Sequence, residues 1–329
     1  MRPTPRTLLE QANQPFLLVS NLTNIRYLTG MQLSDGLLLV TPRSFVLFLD
    51  GRYTEAAMQE VLPGVLVRPI VSLEKSLAKV AECGFEEEHV TVAELRKWKQ
   101  KFSATKFVRT QDSVEAFRRT KSDDELKFLR RAHRITEEML RRVPAALRKG
   151  ITEKALAWKL QTWARELGGD GVSFDPIVAF GTHSSRPHHH PTTRALQKGH
   201  LVQIDVGAVY RGYAADLSQV FFTDDPTPLQ RDVLQAVTDA KDAAIDAIVA
   251  GASTREIDAL ARKVITQKGF EPFPHALGHA VGLDVHESPV LSPRYPNAQL
   301  QAGEVLAIEP AIYLPGKFGM RLEEMVIVA

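Results

Sequence analysis

The sequence predicts an α/β N-terminal domain followed by an α+β domain with an internal pseudo-two-fold duplication. Three observations lead there. Short unbroken apolar runs fill the beginning of the chain, the remainder repeats one order of helices and strands, and two pairs of carboxylates sit at hairpin spacing within the repeats. A chain of 329 residues is long for one core and comfortable for two.

The apolar runs come first: Phe16-Leu17-Leu18-Val19, Gly36-Leu37-Leu38-Leu39-Val40 and Phe45-Val46-Leu47-Phe48-Leu49. Each is bounded by polar or turn residues, as expected of strands covered on both faces of an α/β sheet. Helices are expected between them and after them, over 53–61, 73–81 and 91–101. The polar stretch 110–121 marks a boundary, giving domains 1–115 and 116–329.

Beyond it, Ser122-Asp123-Asp124-Glu125 is a capping box that opens a helix carrying Leu126, Leu129, Met139, Leu140 and Val143. A second helix begins at about Thr152, shows Leu156, Leu160, Trp163 and Leu167 on one face, and stops at Gly168-Gly169. Strand-like sequence follows from Phe174. The same order then recurs. Thr227-Pro228-Leu229-Gln230 caps a helix to about Val249, Ser253 with Glu256 caps another carrying Ile257, Leu260, Val264 and Ile265, and strands resume at Phe273. Two such units imply a duplication, and a site at their junction would draw residues from both.

Composition excludes several classes of function. Hydrophobic residues are 44% and charged residues 24%, with a net charge of +2, so neither disorder nor a field for nucleic acid or membrane is implied. The densest basic run, Arg96 to Arg109, reads as a solvated amphipathic face. Cys83 is the only cysteine, which rules out a disulfide within the chain and fits a cytoplasmic protein. No signal-peptide core follows Met1-Arg2-Pro3-Thr4-Pro5, and no run is long enough to span a bilayer.

The carboxylate pairs carry the chemistry. Asp205 and Asp216 flank a tight turn at Tyr210-Arg211-Gly212 and are expected opposite each other on one face. Glu309 and Glu323 stand equidistant from Gly316 in the same way. All four have apolar neighbours, and buried like charges need a counter-charge. Arg321 is the one basic residue close to the second pair. Divalent cations answer the need, and oxygen-rich ligation suits Mn²⁺ or a similar metal. His275, His279 and His286 lie in a Gly-punctuated segment of little charge and offer nitrogen ligands.

The series Asp205, Asp216, His279, Glu309, Glu323 resembles the ligand set of the pita-bread metallopeptidases. Gly278-His279-Ala280-Val281-Gly282-Leu283 with His286-Glu287, Ile308-Glu309-Pro310-Ala311-Ile312-Tyr313 and Gly319-Met320-Arg321-Leu322-Glu323-Glu324 resemble their proline-directed branch, the prolidases and aminopeptidases P. Asn24-Ile25-Arg26-Tyr27-Leu28-Thr29-Gly30 and Asp50-Gly51-Arg52-Tyr53-Thr54 resemble its creatinase-like N-terminal domain. Ala280 and Ala311 stand where that family often has glycine.

The resemblance implies a pita-bread catalytic domain in a homodimer, with two divalent ions, Mn²⁺ first and Co²⁺ or Zn²⁺ as alternatives. It implies Glu309 as both ligand and acceptor of the water proton, with His188 and His286 stabilising the intermediate. His275, Arg321 and Tyr313 would bind substrate. In Pro187-His188-His189-His190-Pro191 the distance to Asp205 selects His188; His189 and His190 remain alternatives whose plain reading is a surface cluster. The implied substrate is a proline-containing dipeptide or peptide. Arg26, Arg43 and Arg52 are candidates to read a dipeptide carboxylate. Rival readings are an aminopeptidase P acting on longer peptides, a non-catalytic binding module of the same fold, a metal-free creatinase-like hydrolase and a methionine aminopeptidase. The chain ends six residues after Glu323, so a further strand or tail is expected there.

Overall fold

A computed structural model describes residues 2–329 and divides them into two compact units, with the division between Arg118 and Arg119. The first unit is built on one mixed six-stranded sheet. Its elements in chain order are α1 (Pro5–Ala12), β1 (Leu17–Val19), α2 (Leu22–Thr29), β2 (Leu37–Val40), β3 (Phe45–Leu49), α3 (Thr54–Glu60), β4 (Val65–Pro69), α4 (Leu73–Leu77), β5 (Glu82–Glu86), α5 (Val92–Lys101), β6 (Lys106–Thr110) and α6 (Glu115–Arg118). The strand order is β4-β3-β2-β1-β5-β6. The three apolar runs become β1, β2 and β3, with Leu17, Leu18, Val19, Leu38, Leu47 and Phe48 wholly buried.

The expected helix over 73–81 is shorter. Leu73 and Leu77 are its two buried positions, after which Val80 turns into the core by donating its N–H to the Leu77 carbonyl, and β5 begins at Glu82. Three helices escaped the pattern reading, α1, α2 and the single turn α6. α1 starts at a Thr4 N-cap with Pro5 in its first turn, and α2 runs from an Asn21 N-cap to Gly30 in the left-handed conformation.

The second unit begins with α7 (Asp123–Ala146) and α8 (Glu153–Glu166). Strands β7 (Gly171–Val172), β8 (Ile177–Phe180), β9 (Leu201–Val206), β10 (Ala208–Tyr210), β11 (Tyr213–Ala214) and β12 (Leu217–Phe222) follow. Next come α9 (Pro228–Asp246) and α10 (Thr254–Gln267). The chain closes with β13 (Gly278–Ala280), β14 (Glu287–Leu291), β15 (Val305–Ile308), β16 (Ala311–Leu314), β17 (Phe318–Arg321) and β18 (Glu324–Ile327). Glu125 reaches back to the Ser122 N–H and hydroxyl, and Thr227 and Gln230 cap one another, so both boxes open helices where expected. α9 stops at Asp246, short of Val249, because Ala247 and Ile248 already close tighter i to i+3 bonds.

The duplication is visible strand by strand. Each half ends in a hairpin whose two strands are interrupted midway: β9/β10 against β11/β12, and β15/β16 against β17/β18. Each hairpin packs on its own pair of helices, α7 and α8 through Met139, Leu156 and Leu160, α9 and α10 through Val237, Ile257 and Ile265. The halves are joined side by side. Gln203 on β9 accepts from the Arg321 N–H and donates to the Arg321 carbonyl, and Glu323 donates its N–H to the Ser218 carbonyl.

Among the described residues no helix is long and apolar enough to cross a membrane. Gly207 sits at the β9/β10 interruption, where a Cβ would fall 1.6 Å from the Ala215 carbonyl oxygen and 2.2 Å from Ser173 Oγ. Gly207→Ala is therefore expected to destabilise the protein by about 3 kcal/mol, read as a lower urea midpoint. Gly51→Ala, whose Cβ meets nothing within 4 Å, should change stability by less than about 1 kcal/mol in the same measurement.

Candidate metal centre

The interruptions place the acids. Tyr210 pairs with Tyr213 across Arg211 and Gly212, both at positive φ (50° and 80°), a two-residue turn that matches the twist of its strands. That register sets Asp205 against Ser218, so Asp205 and Asp216 are not directly opposite as the turn spacing suggested. The turn's centre lies one residue later, between Arg211 and Gly212 rather than between Tyr210 and Arg211, and Asp216 becomes a diagonal neighbour on the same face. Asp216 occupies the gap between β11 and β12. The second pair follows its spacing: Ile308 faces Glu324 and Ala311 faces Arg321, and the same offset sets Glu309 against Glu323 in the gap. With their backbones outside the ladder, the N–H groups turn elsewhere, Glu309 to the Leu277 carbonyl and Glu323 to that of Ser218.

These residues converge. Carboxylate oxygens of Asp205, Asp216 and Glu323 lie within 4.8 Å of one another, as do ligand atoms of Asp216, His279 and His286. His279 Nε2 is 3.7 Å from Asp216 Oδ2 and 3.9 Å from Glu309 Oε1. Asp205, Asp216, His279 and Glu323 are buried, whereas Glu309 keeps 18% of its side chain open to solvent. Burial is the main cause that pushes the Asp216 and Glu323 carboxyls well above the ordinary range, with neighbouring acids adding to it and Arg321 opposing. Burial likewise raises Glu309 to about 8, against Arg321 and with Asp205. His279 is driven down to about 4, chiefly by burial and by His286, so its ring is neutral and able to ligate at neutral pH.

Arg321 is the cation of the site. It ion-pairs with Asp205, lies 3.8 Å from Glu309 Oε2, and donates to Ser218 Oγ (2.9 Å), Tyr313 Oη (2.9 Å) and the Pro187 carbonyl (3.3 Å). It serves the first carboxylate pair as well as the second. One guanidinium still leaves acceptors bare: Asp205 Oδ1 and Glu323 Oε2 are buried with no hydrogen-bond partner. Orphaned carboxylate oxygens around a neutral histidine fit a divalent-cation centre.

Tyr313 and His275 extend the network. His275 Nδ1 lies 2.7 Å from the Ala276 carbonyl and must donate to it, so Nε2 accepts from Tyr313 Oη at 3.1 Å. Burial lowers His275 to about 4 and raises Tyr313 to about 12, which keeps both neutral. Arg262 donates to the Phe273 and His275 carbonyls (both 2.7 Å) and to buried Asp258, and so pins the segment that carries His275.

His188 and His286 are exposed, and His188 is close enough for its charge to bear on both His275 and His286. His190 is exposed. His189, expected at the surface, is instead 5% exposed with Nε2 2.9 Å from Glu153 Oε2, because α8 presents a buried acid that the ring satisfies. In the first unit Arg52 is engaged by Asp50 and Asp35, Arg43 lies between β2 and β3, and Arg26 is in the last turn of α2. Gln203, Ser218 and Glu153 were missed by the sequence reading. Gln203 had a signal, since it is polar, two positions from Asp205 in an apolar strand, and so on the same face.

Comparison with known proteins agrees across the chain. Residues 127–329 match the model of metallopeptidase family M24, and residues 4–120 match the creatinase/prolidase N-terminal domain. An uncharacterized peptidase, YqhT of Bacillus subtilis, is 34% identical over 98% of this chain and 93% of its own. A solved Xaa-Pro dipeptidase from Bacillus anthracis superposes with a TM-score of 0.93 at 29% identity, covering 99% of this chain and 93% of that one. An X-Pro aminopeptidase from Thermotoga maritima gives 0.89 at 32%, over 98% and 94%.

The raised carboxyls fix a pH dependence. The metal-free native state holds protons that the unfolded chain has already released between the ordinary carboxylate value of 4.5 and about 8. Its stability must therefore fall as pH rises from about 6.5 to about 8, whereas below 6.5 His275 and His279, neutral in the fold but protonated in the unfolded chain, work in the opposite sense. Melting of metal-stripped protein should show a decreasing Tm from about pH 6.5 to about pH 8. A divalent cation should raise Tm more at pH 8 than at pH 5, with proton release detectable by calorimetry in buffers of different ionisation heat.

Proposed function

Because this chain belongs to metallopeptidase family M24, we propose that it is a prolidase, hydrolysing Xaa-Pro dipeptides with two divalent metal ions held by Asp205, Asp216, His279, Glu309 and Glu323. The observation that carries this reading is the convergence of four carboxylates and a neutral histidine on one buried point, with carboxylate oxygens left unpaired. Mn²⁺ suits an oxygen-dominated set, and Co²⁺ or Zn²⁺ are the alternatives. Bound there, such ions would supply an activated water and polarise the scissile carbonyl.

The chain's own residues do the rest. Glu309, the most open of the acids, accepts the proton of the attacking water and passes it toward the departing proline nitrogen. His188 and His286, both exposed beside the acids, donate hydrogen bonds to the oxygen that gains charge. His275 has both ring nitrogens engaged, so it lines the leaving-group side and moves no proton. Tyr313 and Arg321 hold that wall, and Arg321 fixes Asp205. The bond before proline has no N–H, so the pocket need supply no acceptor for it. A cytoplasmic location fits the single buried Cys83. The homodimer rests on the resemblance and is tested by light scattering.

Purified protein should release free proline from Met-Pro and Leu-Pro only when divalent metal is supplied. Glu309→Ala should reduce that rate by about 10²- to 10⁴-fold. Faster cleavage of Xaa-Pro-Xaa tripeptides than of dipeptides would make it an aminopeptidase P, and no turnover of either would favour a binding module.

A further inference from the structure

We propose that Glu153 is a positioning residue for this site: by holding His189 it fixes the strap 187–191 and turns His188 toward the substrate. The inference rests on the role given to His188 above. Glu153 opens α8 and is fully buried, yet it contributes nothing to the apolar core. Its two oxygens instead tie together three separate stretches of chain. Oε1 accepts from the Phe180 N–H (2.9 Å) and meets His183 Nδ1 (2.8 Å). Oε2 accepts from the Thr192 N–H (2.9 Å) and hydroxyl (2.6 Å) and meets His189 Nε2 (2.9 Å).

Burial alone would raise this carboxyl, but the bonds from Thr192, His189 and Phe180 override it and hold Glu153 at about 2. An ionised acceptor has no proton to give, so both histidines donate, which fixes the Nδ1–H tautomer of His183 and a proton on Nε2 of His189. The three residues could be taken for another metal site. The donor count argues otherwise: each oxygen already receives two or three hydrogens, leaving no free lone pair for a cation.

The consequence for the strap is geometric. Prolines at 187 and 191 restrict it, and burial alternates along it: His188 exposed, His189 buried, His190 exposed. Anchoring His189 inward therefore directs His188 outward. The strap is pinned from the other side as well, because Arg321 donates to the Pro187 carbonyl. Glu153 and Arg321 thus grip the residues on either side of His188, one through a ring and one through a carbonyl.

Two variants test this. Glu153→Gln keeps the size but loses an acceptor oxygen, and His189→Gln leaves Glu153 its bonds from Phe180 and Thr192 should the first fail to fold. Each is expected to lower kcat/KM for Leu-Pro by about 10- to 100-fold, and to shift the His188 ring signal in NMR spectra of the metal-free protein. Combined with His188→Ala, neither should lower activity beyond His188→Ala alone. Losses that multiply in the double variants, or an unmoved His188 signal, would overturn the proposal. If the unmodified protein cleaves no Xaa-Pro substrate, the prolidase reading falls, and the His188 signal alone decides the role of Glu153.

Discussion

Four carboxylates drawn into one buried volume repel each other by about 4 kcal/mol per close pair at an effective protein dielectric, and a single guanidinium offsets only part of this. Asp216, Glu309 and Glu323 respond by holding protons more tightly, whereas Asp205 keeps the ion pair with Arg321. The surrounding structure is arranged to keep these groups together despite that repulsion. Gln203 grips the backbone of Arg321 in both directions, Ser218 and Tyr313 receive its side chain, and Glu323 is hydrogen-bonded across to the neighbouring hairpin.

The interrupted strands solve the placement problem. A regular hairpin sends alternate side chains to opposite faces, and its ladder uses up the backbone donors. Breaking the strands at Gly207, Asp216, Glu309 and Glu323 frees the N–H groups of Asp216, Glu309 and Glu323 to bond elsewhere, to Met325 Sδ and to the Leu277 and Ser218 carbonyls. The side chains at the breaks can then aim at a common point. Because the break recurs in both halves, one local device used twice yields acids from two sides. The helices behind each hairpin then stabilise loops that carry histidines: α8 through Glu153, and α10 through Asp258 and Arg262.

Much of this was legible in the residues. Capping boxes at Ser122 and Thr227 locate helix starts because their chemistry is local, and the apolar runs of β1, β2 and β3 stand out because both faces are covered. The pairing of Glu309 with Glu323 follows from a turn whose centre was placed correctly. The Asp205 pairing was misjudged by two positions because equal spacing from Tyr210 and Arg211 puts the turn's centre one residue too early, whereas Arg211 and Gly212, both left-handed, are its central pair. β4, β5 and β6 were not anticipated: their partners lie far along the chain, and β4 carries Arg68 and Pro69 on the edge of its sheet. His189 was read as a surface residue because its partner, Glu153, is remote in sequence and has no pattern to announce it.

The division of the donor set between the two hairpins has a further consequence. Asp205 and Asp216 belong to one half, and His279, Glu309 and Glu323 to the other, so an ion held as proposed would be a cross-brace between them. Without it, the junction rests on the Arg321–Asp205 ion pair, the hydrogen bonds of Gln203 and Glu323, and a buried apolar cluster of Leu126, Leu129, Tyr213, Val281, Val305 and Ala307. Opening of either half then has only these contacts to break. With it, opening either half means giving up the ion, and the slowest-exchanging amides of both halves are tied to one event. Chelation would thus change the grain of unfolding as well as its midpoint.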